Sequence, residues 1–431
     1  MNDLAILGGP PVLEAELPRY RSMGQAELDA VVEVMASDCL SGFYGSPGPE
    51  FLGGAKVRAF EEAWSERFGV RHAVSVNSAT SGLIAAMGAI GIGPGDEVIL
   101  PPWTMSATAM APLVYGGLPV FADVEADTFC LDPQAVRAEI TPRTKAILAV
   151  NLFGHPARLE ELRLIAEAHG LWLVEDNAQA PLASEHGRAA GTVGHIGIFS
   201  FNFHKHIHTG EGGMCVTEDD RLAERLRLIR NHGENVVEAG GHDELVNMVG
   251  FNFRLTELSA AVGLAQLADI DRHVRRRERV AEALTAGLDG LDGLRAPMVR
   301  EGCRHNYYCW CVRYDEAAMG VSRDTFCRAL AAEGFPLGVG YVRPLYLLPL
   351  FQERIALGAE GFPFSLSNRT YPKGLCPVAE RLHEKEAFLF EPCAWSLDER
   401  HTELLVEALR KVHGRVGELV ALERQGEAAS A

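Results

Sequence analysis

Five short runs of apolar and β-branched residues, "HAVSV" (72–76), "EVILP" (97–101), "PVFADV" (119–124), "KAILAVNLF" (145–153) and "LWLVED" (171–176), alternate with stretches of helical spacing. The intervening helical patterns include Ser81–Ile90, Ser106–Val114 and Leu159–His169. This alternation constrains the fold more than any other feature. A short run without polar alternates reads as a strand buried on both faces, and such strands need helices on either side. Repeated strand–helix–strand units therefore predict an α/β fold with a mostly parallel sheet flanked by helices. Two further runs, "IGIFSF" and "GMCVTE", bring the expected sheet to seven strands.

After a long helical region from Leu255 to about Leu288 the pattern changes. Strands Tyr307–Tyr314, Leu337–Val342 and Phe388–Pro392 alternate with helices Arg323–Glu333 and Glu399–Val412. A chain of 431 residues exceeds what one hydrophobic core usually holds. Residues 1–289, N-terminal segment included, are expected to form a large domain and residues 290–431 a smaller α+β domain. The tail "ERQGEAASA" is expected to fray.

Charge and cysteine usage exclude several function classes. With 40 basic and 58 acidic residues, the net charge of −18 repels nucleic acid and anionic membranes. No apolar run reaches the ~18 residues of a membrane helix, and the N-terminus lacks the basic start and apolar stretch of a signal peptide. Nine cysteines, an odd number without CxxC pairs, suit reduced thiols in the cytoplasm. The "CWC" at Cys309 and Cys311 reads as a strand with both thiols on one face, and the basic run "RHVRRRER" (Arg272–Arg279) as a solvated helix face.

In open α/β sheets ligands gather at the carboxyl ends of the strands, and that rule selects residues here. "SVNSATSGL" ends the first strand and opens a helix, placing Ser78, Thr80 and Ser81 where free backbone N–H groups bind an anion. "PPWTMSAT" follows the second strand and brings Trp103, a flat surface for a ring. The fifth strand ends on Asp176, with Gln179 three residues on. "SFNFHKHIHTGEGG" (200–213) then supplies Ser200, Lys205 and a glycine-rich turn. Anion site, aromatic plate, carboxylate and lysine together suit a phosphorylated, positively charged aromatic ring beside an amine. Pyridoxal 5'-phosphate has those parts. The three histidines of the same stretch, His204, His206 and His208, would lie on one side of an H-x-H-x-H strand, with Lys205 on the other. They are expected to line a substrate mouth or meet a partner subunit, and no metal is expected.

From about Leu7 to Val412 the chain resembles the sugar aminotransferases of the DegT/DnrJ/EryC1/StrS family. The resemblance rests on "GGAKVRAFEEAWSERFGVRHAVSVNSATSGL", "GPGDEVILPPWTMSATA", "PVFADVEADTFCLDP", "LVEDNAQA", "GHIGIFSFNFHKHIHTGEGGMCVTEDD", "LRLIRNHGE" and "GFNFRLTELSAAVGLAQL", in the family's order. It implies the fold type I architecture and dependence on pyridoxal 5'-phosphate. By position it makes Lys205, five residues before Gly210, the residue that binds the cofactor covalently and serves as catalytic base and acid. Ser200 becomes a phosphate ligand, Asp176 the partner of the pyridine nitrogen and Gln179 a neighbour of the ring's O3. Ala79 and Thr80 fall in the phosphate turn, where alanine replaces the family's usual glycine, and Trp103 becomes the stacking residue. Asn252 matches the asparagine that reaches the partner subunit's cofactor phosphate, so a homodimer is expected.

The implied reaction moves an amino group from L-glutamate or L-glutamine to a keto sugar, free or nucleotide-linked, or to a keto cyclitol, as in secondary-metabolite or cell-surface sugar biosynthesis. Three rivals stand beside it. Pyridoxamine-phosphate-dependent sugar dehydratases carry histidine in place of the lysine, and the count to Gly210 places Lys205, not His204 or His206, at that position. A non-catalytic cofactor-binding regulator would need a DNA-binding motif or basic patch that the sequence lacks. A nucleotide-dependent α/β enzyme would need a GxxxxGK[ST] or strand-following GxGxxG that is also missing.

Overall fold

The short apolar runs become the strands of one seven-stranded sheet, with β1 His72–Val76, β2 Glu97–Leu100, β3 Leu118–Phe121, β4 Thr144–Val150 and β5 Trp172–Asp176. A small hairpin, β6 Ser184–Glu185 and β7 Arg188–Ala189, precedes β8 Ile196–Ser200 and β9 Gly213–Thr217. The computed structural model describes residues 3–430, and the side chains of 3–425. Strand order is β1-β9-β8-β5-β4-β2-β3. β9 runs antiparallel to both its neighbours and every other pairing is parallel. The expected sheet is therefore present, mostly parallel and buried on both faces.

Helices α1 Gln25–Ala36, α2 Ala55–Phe68, α3 Ala79–Ala89, α4 Ala107–Leu113, α5 Pro133–Glu139, α6 Leu159–His169 and α7 Asp220–Arg230 accompany it. Alternation along β8 shows how the two faces are filled. Ile196 and Ile198 join the core that holds α3, whereas Phe199 and Phe201 join α2 on the other face. There Trp64 meets Phe68, Phe199 and Phe201 at centroid distances of 4.7, 5.0 and 5.0 Å. That aromatic block anchors β8 where the lysine loop begins.

The C-terminal region builds a second sheet, order β10-β12-β14-β13, from β10 Leu294–Arg295, β12 Trp310–Tyr314, β13 Gly338–Val339 and β14 Ala387–Phe390; β11 Cys303–Arg304 pairs with β6 instead. Cys309 and Cys311 face the main core and Trp310 the small one, as their spacing predicts. Packing departs from the expected division of the chain in two places. Leu4, Leu13 and Leu17 are buried with the small domain's core, and Leu13 N–H donates to the Glu333 carbonyl at 2.9 Å. Conversely Leu345, Tyr346, Phe351, Phe364 and Tyr371 pack into the large core. The start of the tail does not fray. The helix Val416–Ser430 brings Glu423 to accept from Thr325 Oγ1 at 2.6 Å and Ser322 N–H at 3.1 Å. The rest of the expected frayed tail lies outside the described side chains.

The basic run differs more sharply. It lies on the helix Ile270–Gly287, where Arg277 is 3% exposed and His273 1%. Apolar spacing places one edge of the run against the loop at 200–213, so that edge is buried rather than solvated. Among the described residues no helix is long and apolar enough to cross a membrane.

Candidate active site

Asp176 ends β5 and is buried. Its carboxylate accepts from Thr108 Oγ1 at 2.9 Å and from Ala178 N–H at 3.2 Å. Burial pushes its pKa up, against the hydrogen bonds of Thr108 and Ala178 and the charge of Lys205. Glu175 points to the opposite face and accepts from the N–H groups of Gly191, Val193 and Gly194 at 2.6, 2.8 and 2.6 Å and from Asn151 Nδ2 at 3.1 Å. Four donors on one carboxylate fix the strand end and, with it, the direction of Asp176.

Residues 201–212 form the connection between antiparallel β8 and β9. Thr209 N–H donates to Phe201 O at 3.0 Å, and Lys205 N–H to Asn202 O at 2.9 Å, so the segment is a folded turn. The expected H-x-H-x-H strand is not formed, and the three imidazoles diverge. His204 is exposed, His208 Nε2 meets Ser22 Oγ at 2.8 Å, and His206 is 1% exposed beneath the loop. Arg277 Nη1 donates to His206 Nδ1 at 3.2 Å, so that nitrogen is an acceptor and the ring is neutral. His206 is thus a core residue, not part of a mouth. Lys205 remains half-buried, and burial lowers its pKa while the charge of Asp176 opposes that shift.

At the other side of the sheet Ser78 caps α3, accepting from Ser81 N–H at 3.0 Å. The first N–H groups of a helix have no partner within it, which leaves those of Ala79 and Thr80 for an anion. Ser200 shares the face of Ile196 and Ile198, the face on which α3 packs: a Cβ on Gly82 would lie 3.1 Å from Ile198 Cγ2. Gly213, which pairs with Ser200, lies against the same turn; a Cβ there would come within 2.8 Å of Ala79 N. Asn252 is exposed, and its carbonyl accepts from Asn77 Nδ2 at 3.4 Å, beside this turn of its own chain.

Two of the candidate residues are engaged within the protein. Gln179 Oε1 accepts from Phe153 N–H at 2.7 Å and its Nε2 donates to Tyr341 Oη at 3.0 Å. Trp103 is 0% exposed, ringed by Phe129, Phe153 and Tyr341 in edge-on contacts, and its Nε1 donates to Gly340 O at 3.2 Å. The indole is thus enclosed by these rings, and its role as the stacking residue rests on the family resemblance. The open side chain of that turn is Met105, 59% exposed.

The remaining set fits a phosphorylated pyridinium ring. A helix N-terminus and Ser200 suit the phosphate, a buried carboxylate suits a protonated ring nitrogen, and a partly desolvated lysine lies within reach of that carboxylate's charge. Sequence reasoning missed Thr108, Tyr308 and Tyr341. Thr108 could have been found as the next helical turn after "PPWTM"; nothing local marks the two tyrosines.

Residues 46–387 match the model of the DegT/DnrJ/EryC1/StrS aminotransferase family. The chain is 35% identical over 432 residues to an L-glutamine:2-deoxy-scyllo-inosose aminotransferase of Streptoalloteichus tenebrarius, covering 97% of this chain and 99% of that one. It is 36% identical to a GDP-perosamine synthase of Caulobacter vibrioides, over 78% of this chain and 87% of the relative. Among solved structures, DesI in the presence of its TDP-sugar product superposes with a TM-score of 0.80 at 31% identity, over 98% of this chain and 99% of that chain. The matched residues span most of the chain, and the chain belongs to the DegT/DnrJ/EryC1/StrS aminotransferase family.

Proposed function

We propose that this pyridoxal 5'-phosphate-dependent aminotransferase transfers the amino group of L-glutamine or L-glutamate to a keto cyclitol or keto sugar. What supports this reading is the charge interaction between buried Asp176, at the end of β5, and Lys205, in the loop that follows the neighbouring strand β8, in a chain aligned over 97% of its length with a cyclitol aminotransferase. When bound, the cofactor supplies an electron-withdrawing ring that acidifies the donor's Cα–H. Asp176 holds the ring nitrogen, and its ionised form is the one that keeps that nitrogen protonated. Ser200 and the N–H groups of Ala79 and Thr80 hold the phosphate, which anchors the cofactor while Lys205 is free. Lys205 Nζ takes the proton from the donor's Cα and holds it for return. Gln179, which donates to Tyr341 Oη at 3.0 Å, would hold the O3 side of the ring.

A homodimer is supported by an apolar stripe on α1, where Leu28, Val32 and Met35 are 55%, 57% and 57% exposed at helical spacing. Asn252 then reaches the partner's phosphate. The free cysteines among the described residues suit a reduced, cytoplasmic setting. Division into two domains is supported by separate cores around the main sheet and around β12 and β14.

The test is a half-reaction. The cofactor-loaded protein is mixed with L-glutamine, L-glutamate or L-alanine, and loss of the covalent cofactor's visible absorbance is followed. Glutamine or glutamate should bleach it, and a keto cyclitol or keto sugar should restore it with release of an amine. Bleaching by neither donor, or release of a deoxygenated product without an amine, would replace this reading. Lys205→Ala should stay folded and lose turnover.

A further inference from the structure

Lys205 is held by a residue that no motif marks. Its Nζ donates to Tyr308 Oη at 3.3 Å and lies 4.4 Å from the centroid of the Tyr308 ring. Tyr308 is 7% exposed, and among the described residues Lys205 is the hydrogen-bond partner of its phenol. The backbone around it is fixed on both sides. Tyr308 N–H donates to Asn306 Oδ1 at 3.2 Å and Cys309 N–H to Phe153 O at 3.1 Å. Asn306, fully buried, donates through Nδ2 to Pro181 O at 2.7 Å. Gly154 makes room for it, since a Cβ there would lie 1.9 Å from Asn306 Oδ1. Tyr308, in the segment that leads into β12, is therefore a rigid stop against which the lysine side chain rests.

We propose that Tyr308 is a positioning residue for Lys205: its phenol oxygen and ring face hold the amine whenever it is not covalently engaged, and favour its protonated form. This rests on the reading of Lys205 as the base. The groups whose charges act on Lys205 come from several elements: Asp176 from β5, Cys309 before β12, Glu391 and Cys393 after β14, and His204 and His206 on either side. Burial opposes the ammonium form, and a base that cannot keep a proton cannot pass it on. A hydrogen bond from a charged donor is about twice as strong as a neutral one, and the ring face attracts the same charge. Burial pushes the phenol's own pKa far up, so Tyr308 stays neutral. In the proton balance the proton leaves the donor's Cα, is held on Nζ with one ammonium N–H donated to Tyr308 Oη, and leaves Nζ for the receiving carbon. Tyr308 itself neither gains nor loses one.

The test reads the amine directly. Cofactor-free protein is treated with acetic anhydride over a pH series, and acetylation of Lys205 is followed by peptide mass spectrometry. Tyr308→Phe, which keeps the ring, should lower the labelling midpoint by about half to one pH unit. Tyr308→Leu, which also removes the ring, should lower it further. In the loaded enzyme Tyr308→Phe should reduce kcat about tenfold and leave the donor KM within about twofold. A midpoint unchanged or raised in both variants overturns the proposal, as do equal effects on kcat and KM without any change of midpoint. Lys205→Ala is assayed in parallel. If it retained turnover, the reading of Lys205 as base would fail, whereas the labelling midpoint would still report whether Tyr308 holds the amine.

Discussion

Arg277 Nη1 donates to both the backbone carbonyl and the ring Nδ1 of His206, at 3.1 and 3.2 Å, directly beside Lys205. A guanidinium from the helix Ile270–Gly287 thus clamps the floor of the lysine loop, and both partners are almost fully buried. Arg277→Leu leaves the buried His206 carbonyl unpaired and its Nδ1 with the Cys393 thiol alone, at 3.9 Å, at about 1–3 kcal/mol for each lost bond. Urea unfolding should show a stability loss of about 2–4 kcal/mol, and cofactor titration a weaker affinity. Unchanged values for both would show that the clamp contributes little.

The buried histidines make stability depend on pH. Burial, helped by Arg300 beside His155 and Arg277 beside His273, holds both rings down at about 4, from an ordinary 6.5. Burial also pushes His206 and His305 well below 6.5. The unfolded chain takes up protons below pH 6.5 that the folded chain refuses, so stability falls as pH drops from about 6.5 toward 4 and is fully present above 6.5. Each ring contributes up to about 1.4 kcal/mol per pH unit in that window. Unfolding midpoints at pH 7.5, 6 and 5 check this. His206→Gln should give a shallower decline, and midpoints that stay level across the three values would count against it.

Gly213 lies against the phosphate turn, where an added Cβ would come within 2.8 Å of Ala79 N and 2.8 Å of the Ser78 carbonyl carbon. Both are backbone atoms, which cannot swing aside. Gly213→Ala should shift the start of α3 at a cost of about 1–3 kcal/mol and weaken cofactor binding by about five- to a hundredfold. Absorbance titration of the cofactor-free protein measures this; Gly210→Ala, where a Cβ meets nothing within 4 Å but φ is +82°, serves as a loop control.

If the α1 stripe meets a second copy, Val32→Asp should shift the protein toward monomer in sedimentation velocity. In heterodimers of Asn252→Ala and Lys205→Ala chains the site with the intact lysine then takes its asparagine from the partner, so each heterodimer should show the activity of about one normal site, half that of the wild-type dimer. A fully active monomer would rule out the shared site.

Period and punctuation alone located the sheet. Runs such as "KAILAVNLF" admit no face for water, so β4 and its parallel neighbours follow from local pattern, and Asp176 and Ser200 follow as strand ends. Lys205 was legible through the family resemblance, which assigns its role by the spacing to Gly210. What a turn side chain faces is not local. Trp103 is enclosed by Phe129, Phe153 and Tyr341, and His206 by Arg277, partners 26 to 238 positions away in the sequence. Tyr308 meets Lys205 across 103 positions. Hydrophobic periodicity reports which side of an element is buried, whereas these contacts depend on how whole elements are brought together. The sequence determined the strands and their chemical ends; only the packing of the second sheet and the helix Ile270–Gly287 against the loop decided which of its side chains stay open, which are buried and what holds the lysine.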